Sequence, residues 1–142
     1  MTLLIAIGNT LRRDDGAAHR VLELVGPAPG MRAVNCHQLT PEVAEDVAGA
    51  DQVVFIDADL RPGEARLEVL EAGAGWNALG GHALRPWEVL ALAVKLFGFG
   101  GKAWLCHVPG VDFEEGEGLS STAERNALAA ADLLRDIVRA RP

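Results

Sequence analysis

The chain has 142 residues, the size of one ordinary domain, and its 49% apolar content is enough to build a buried core. A net charge of −7 and an isoelectric point near 5.0 exclude the cationic face that nucleic acid or an anionic membrane would need. No apolar run approaches the roughly 18 residues that cross a bilayer, and the first residues carry neither a basic n-region nor a small-residue cleavage site, so a soluble, cytoplasmic protein is expected.

In chain order, apolar runs rich in branched residues alternate with helical patterns, which predicts a parallel sheet covered on both faces. Residues 3–7 read as the first strand. A helix follows from about Asp15, with Ala18, Val21, Leu22 and Val25 at the i, i+3, i+4, i+7 spacing of a buried stripe. Residues 33–36 form the second strand. Thr40-Pro41 then reads as an N-cap with proline at the first helical position, starting a helix to about residue 49. Residues 53–56 form the third strand, ending at Asp57.

After the turn "LRPGE" (60–64), the alternation of Leu67 and Val69 with Arg66, Glu68 and Glu71 predicts an antiparallel edge strand. A glycine-rich loop reaches His82, and a helix follows over residues 86–96. Its stripe is read as Trp87, Leu90, Ala91 and Val94, widened by Val89, Ala93 and Phe97, which predicts a substantially buried helix. Residues 103–108 make the fifth strand. Ser121-x-x-Glu124 offers a capping box for a final helix to about residue 139. Without repeats, linker or low-complexity tract, one α/β domain over residues 1–142 is expected.

The stretch "IAIGNTLRRDDGAAHR" (5–20) places a glycine turn between a strand and a helix, where a phosphate loop would stand. It has neither the G-x-x-x-x-G-K-[ST] nor the G-x-G-x-x-G spacing. Its Asp14 and Asp15 would repel phosphate at a helix start, and either one alone reads most simply as an N-cap. Open parallel sheets bind ligands beyond the carboxyl ends of their strands, where connections diverge. With the first strand central, Asp15 after it, Asp57 at the end of the third and His82 ahead of the next helix converge on one rim. Two carboxylates and an imidazole from three segments can hold a divalent transition metal with open positions. Cys36-His37 and Cys106-His107 lack the close ligand pairs of structural zinc, and the two cysteines read as reduced thiols.

These residues resemble the hydrogenase maturation endopeptidases, which remove the C-terminal extension from the large subunit of nickel–iron hydrogenases. The resemblance rests on "IGNTLRRDDG" (7–16), which carries the family's G-N-x-L-x-x-D-[DE] opening, with "QLTPEVAEDVAGADQVVFIDA" (38–58), "GGHALRPWEVLAL" (80–92) and "GLSSTAERNAL" (118–128). It implies a twisted five-stranded sheet between helices, in the order 2-1-3-5-4 with the fourth strand antiparallel, which would hold Cys36 and Cys106 too far apart to bridge. It also implies that Asp15, Asp57 and His82 contact nickel supplied by the substrate, the precursor of a hydrogenase large subunit, and carry catalysis. No organic cofactor is implied. A monomer is expected. Asp15 stands where some members have Glu, and Ala17-Ala18-His19 replaces a further glycine; His19 is expected at the helix surface and is not counted as a ligand.

No Ser-His-Asp set, nucleophile elbow or H-E-x-x-H motif is assembled from the sequence. The expected chemistry is hydrolysis of one peptide bond beside the substrate's nickel, which would polarise the carbonyl or acidify a bound water. The alternatives are a non-cleaving metalloprotein-binding or nickel-chaperone module of the same fold, and a small-molecule enzyme using the same crevice.

Overall fold

Five strands form one sheet: β1 (Thr2–Ile7), β2 (Met31–Cys36), β3 (Gln52–Asp59), β4 (Arg66–Val69) and β5 (Lys102–Pro109). The structure is a computed structural model that describes residues 1–72 and 84–139. The strand order is β2-β1-β3-β5-β4. β1 pairs in parallel with β2 and β3, β3 pairs in parallel with β5, and β4 runs antiparallel along β5. Order and direction agree with the sequence reading. Among the described residues, four α-helices cover the sheet: α1 (Ala17–Val25), α2 (Val43–Ala48), α3 (Pro86–Phe97) and α4 (Ser121–Arg139).

The pleat of β1 and β3 explains the two layers, since successive side chains point to opposite faces. Leu3, Ile5, Val53 and Phe55 pack on one face with Val43, Ala44 and Val47 of α2 and Val89, Leu90 and Ala93 of α3. Leu4, Ala6, Val54 and Ile56 pack on the other with Ala17, Ala18 and Val21 of α1 and Ala123, Ala127, Ala130 and Ala131 of α4. Each large side chain buried this way contributes about 1.5–3 kcal/mol. Alanines dominate the face of α4 that packs on the sheet. Cys36 and Cys106 are free thiols. Their strands are separated by β1 and β3, about 14 Å at ordinary strand spacing, beyond disulfide reach.

Several local expectations are corrected. The residues 13–16 wind as a short 3-10 turn, and α1 begins only at Ala17, capped by Gly16 without a side-chain bond. Neither Asp14 nor Asp15 is the N-cap of α1. α2 begins at Val43, preceded by tight turns in which the Val43 and Ala44 amides donate to the Thr40 and Pro41 carbonyls (3.1 Å each). In α3 Pro86, Glu88, Val89, Leu90, Ala91, Leu92 and Ala93 are buried, whereas Trp87 and Val94 are about two-fifths exposed (39% and 41%) and Phe97 47% exposed. A helix apolar on nearly every side offers no single face for periodicity to select. No helix among the described residues is long and apolar enough to cross a membrane.

Candidate functional site

The loop after β1 is fixed by its backbone. Gly8 sits at φ +150°, and a Cβ there would lie 1.9 Å from the carbonyl oxygen of Asp15, so only glycine lets the 3-10 turn fold back against the strand end. The Gly8 amide donates to the Cys36 carbonyl (3.0 Å) and the Asn9 amide donates to Asp15 Oδ2 (2.7 Å). His19 is half-buried at the helix surface, and both of its ring nitrogens are engaged. Its Nε2 lies 2.8 Å from the Gly8 carbonyl and its Nδ1 lies 2.7 Å from the Asn35 amide nitrogen. The carbonyl can only accept, so Nε2 carries the proton and Nδ1 accepts from Asn35. The imidazole braces the turn that aims Asp15. Gly8→Ala is therefore expected to unfold several degrees lower, read by a thermal melt.

Asp14, fully buried, faces away from this loop and gathers four donors. Its Oδ2 accepts from the amides of Val111 (2.8 Å) and Asp112 (2.9 Å) and from the Ser120 hydroxyl (2.6 Å), and its Oδ1 accepts from the Ser120 amide (2.7 Å). Burial alone would raise its pKa. The Ser120 hydroxyl and amide, with the two loop amides, outweigh that and hold it below the ordinary carboxylate value. Ser120 Oγ also accepts from the Ala123 amide (3.1 Å). Ser120, not Ser121, therefore caps α4, and Glu124 instead pairs with Arg20 at 2.8 Å.

Asp57 stands near the end of β3, in register with Ile7 of β1. It shares a cavity of about 240 Å³ with Asp15, Ile7, Gly8, His37, Gln38 and Leu39, and with Leu84, Arg85 and Pro86. Burial, followed by the charge of Asp15, pushes the Asp57 pKa up to about 7, against the Ala58 amide and, more weakly, Arg85. A buried carboxyl beside a second carboxylate, raised in this way, forms a site that gains from a cation. Asp15 and Asp57 are thus brought together at the strand ends, as the crevice rule predicts. His82 lies outside the described residues. Among the described residues no three metal-ligating side chains form a ready cluster.

His37 and Arg85, which also line the cavity, escaped the sequence reading. The parallel pairing of Ile7 with Cys36 carries the signal for His37, because it puts residue 37 beside Gly8 at the same rim. His107 serves elsewhere: its Nε2 lies 3.0 Å from Glu68 and its Nδ1 3.6 Å from Asp59. Burial raises Asp59, but bonds from Arg61 and Arg66 outweigh it and bring the pKa to about 2. Burial pushes the Cys106 thiol up to about 12, so it is inert as a nucleophile. A larger depression of about 350 Å³, lined by Arg13, His19 and Arg20 among others, has both its arginines paired, Arg13 with Asp112 and Arg20 with Glu124.

This five-stranded α/β fold is shared with solved hydrogenase maturation proteases. No family model and no curated protein matches the chain in sequence. Solved structures do match it. A [NiFe] hydrogenase maturation protease, HycI from Thermococcus kodakarensis KOD1, superposes with a TM-score of 0.75 at 21% identity, covering 97% of this chain and 92% of that one. The hydrogenase maturating endopeptidase HybD from E. coli gives 0.75 at 21% identity, covering 98% and 93%. A hydrogenase 2 maturation peptidase from Thaumarchaeota archaeon SCGC_AB-539-E09 gives 0.68 at 21%, covering 97% and 98%. At these identities the likeness is one of fold, over nearly the whole length of each chain.

Proposed function

We propose that the chain is an endopeptidase that removes the C-terminal extension from the nickel-loaded precursor of a nickel–iron hydrogenase large subunit, acting as a cytoplasmic monomer without an organic cofactor. The observation that carries this reading is the convergence of Asp15 and Asp57 in one cavity, with Asp57 held partly protonated by burial and by its neighbour. His82 completes the set through the motif "GGHALRPWEVLAL" (80–92).

In this reading the ion is part of the substrate. Thiolates of the precursor keep it, while carboxylate oxygens and the imidazole meet its remaining positions. Binding deprotonates Asp57, because a divalent charge at the pair reverses the repulsion that keeps the proton on. The ion then acts as a Lewis acid toward the scissile carbonyl or a bound water. Asp14 and His19, one on each side of the turn, keep the Asp15 backbone in place. Neither thiol takes part.

The test mixes purified protein with nickel-loaded and nickel-free precursor and follows loss of the C-terminal peptide by mass spectrometry. Cleavage of the loaded form alone is expected. Equal cleavage of both would overturn recognition through the metal. Nickel-dependent association with no shortened product would favour the non-cleaving binding module.

A further inference from the structure

The cavity that holds Asp15 and Asp57 has a second lining of opposite character, His37, Gln38 and Arg85. An isolated antiparallel bridge between Leu39 and Leu84 ties these two stretches together. Arg85 is anchored at its root. It precedes Pro86 at the start of α3, its amide donates to Glu88 Oε1 (2.8 Å), and its carbonyl accepts from the Glu88 amide (2.9 Å). Its guanidinium carbon lies 5.6 Å from the centroid of the Trp87 ring, a cation–π contact that steadies the side chain without using its N–H donors. Among the described residues no ion pair within 4 Å holds that guanidinium, although two carboxylates share its cavity. A cation placed beside an acidic pair yet not neutralised by it is available to a ligand.

Peptide hydrolysis needs such a group. Water adds to the carbonyl carbon, and the carbonyl oxygen takes the negative charge of the tetrahedral intermediate. The C–N bond then breaks, the departing amine takes up a proton, and the retained part of the substrate ends in a new carboxylate. Asp15 and Asp57 repel both anions, whereas a planar fork of N–H donors fits them. We infer that Arg85 is a catalytic residue that donates to the scissile carbonyl oxygen of the precursor as its charge develops, and then holds the carboxylate of the mature subunit. The inference rests on the proposed endopeptidase reading and adds to it the group that answers the anion rather than the metal.

The cap of α3 uses the backbone of Arg85 and the side chain of Glu88, so Arg85→Met keeps the helix start intact. The expected result for Arg85→Met is a fall in kcat of about a hundredfold, the effect of losing one oxyanion donor, with KM for the loaded precursor and nickel(II) affinity each within about threefold of wild type. Arg85→Lys restores part of the rate, since it keeps the charge and loses the fork. A peptide ending at the cut position is expected to inhibit wild type more strongly as the free acid than as the amide, and Arg85→Met is expected to erase that difference. Wild-type kcat in Arg85→Met would overturn the inference, as would an unchanged preference for the free acid. Failure of wild type itself to process the loaded precursor would instead overturn the endopeptidase reading.

Discussion

Asp57→Asn is expected to slow the proposed processing roughly a thousandfold and, at the same time, to make the fold more stable at alkaline pH. On the proposed reading Asp57 meets the substrate's Lewis-acidic ion, and losing that contact removes about 4 kcal/mol of transition-state stabilisation, which at 1.36 kcal/mol per tenfold corresponds to a rate loss of roughly a thousandfold. The stability effect has the opposite sign. Burial and Asp15 raise the Asp57 pKa from 3.8 to about 7, so the folded state prefers the protonated carboxyl. As pH rises from about 4, the unfolded chain sheds this proton first, and stability falls until pH exceeds the folded value near 7. Asparagine mimics the protonated form at every pH. The gain at pH 8 is on the order of 4 kcal/mol at most and vanishes near pH 4. Thermal melts of both proteins at pH 5 and pH 8 check it: the gap should widen at the higher pH, and an equal gap at both would contradict the burial of a charge at Asp57.

Asp14→Ala is expected to be the most damaging substitution for folding among the acids of the first loop. It removes the acceptor shared by the Val111, Asp112 and Ser120 amides and the Ser120 hydroxyl. Leaving buried donors unpaired costs about 1–3 kcal/mol each before water relieves some of them, and a net loss of about 4 kcal/mol is expected. Urea denaturation measures it directly. The pH dependence runs opposite to that of Asp57. Because the folded Asp14 pKa is lowered, its contribution is present above the unfolded value of 3.8 and disappears as pH falls through the folded one. Loss of less than about 1 kcal/mol at pH 7 would show that the loop over residues 110–120 does not depend on this carboxylate.

The fold was largely legible because the signals that define it are local. β1 and β3 are near-continuous branched apolar runs, and both proved to be buried on both faces. The polar alternation around Leu67 and Val69 marked β4 as an edge for the same reason, since one face of an edge strand meets water. The face of α3 was misread because almost every residue in it is apolar, and burial there is decided by where α2 lies. Asp15 and Asp57 could be placed in one crevice from topology alone. The role of Asp14 could not, because its partners lie about a hundred residues away and three of its four bonds come from backbone amides, which carry no side-chain signature. The bonds of His19 were hidden for a related reason: its partners are the carbonyl of Gly8, just after β1, and the side-chain amide of Asn35 on β2, brought together by long-range pairing.

Arg85 and His37 show a further limit. Each belongs to a segment whose own pattern reads as a strand end or a helix start; the β1–β2 register brings His37 to the cavity, and the Leu39–Leu84 bridge brings the stretch of Arg85 beside it. A charged residue beside two carboxylates has no sequence spacing that announces it.

Anomalous diffraction at the nickel edge, from crystals grown with nickel(II), tests the meeting of Asp15 and Asp57 around one ion most directly. A single peak within about 2.2 Å of a carboxylate oxygen from each residue, absent in Asp57→Asn crystals, is the predicted result. A nickel peak elsewhere on the chain with the cavity between β1 and β3 empty would contradict it.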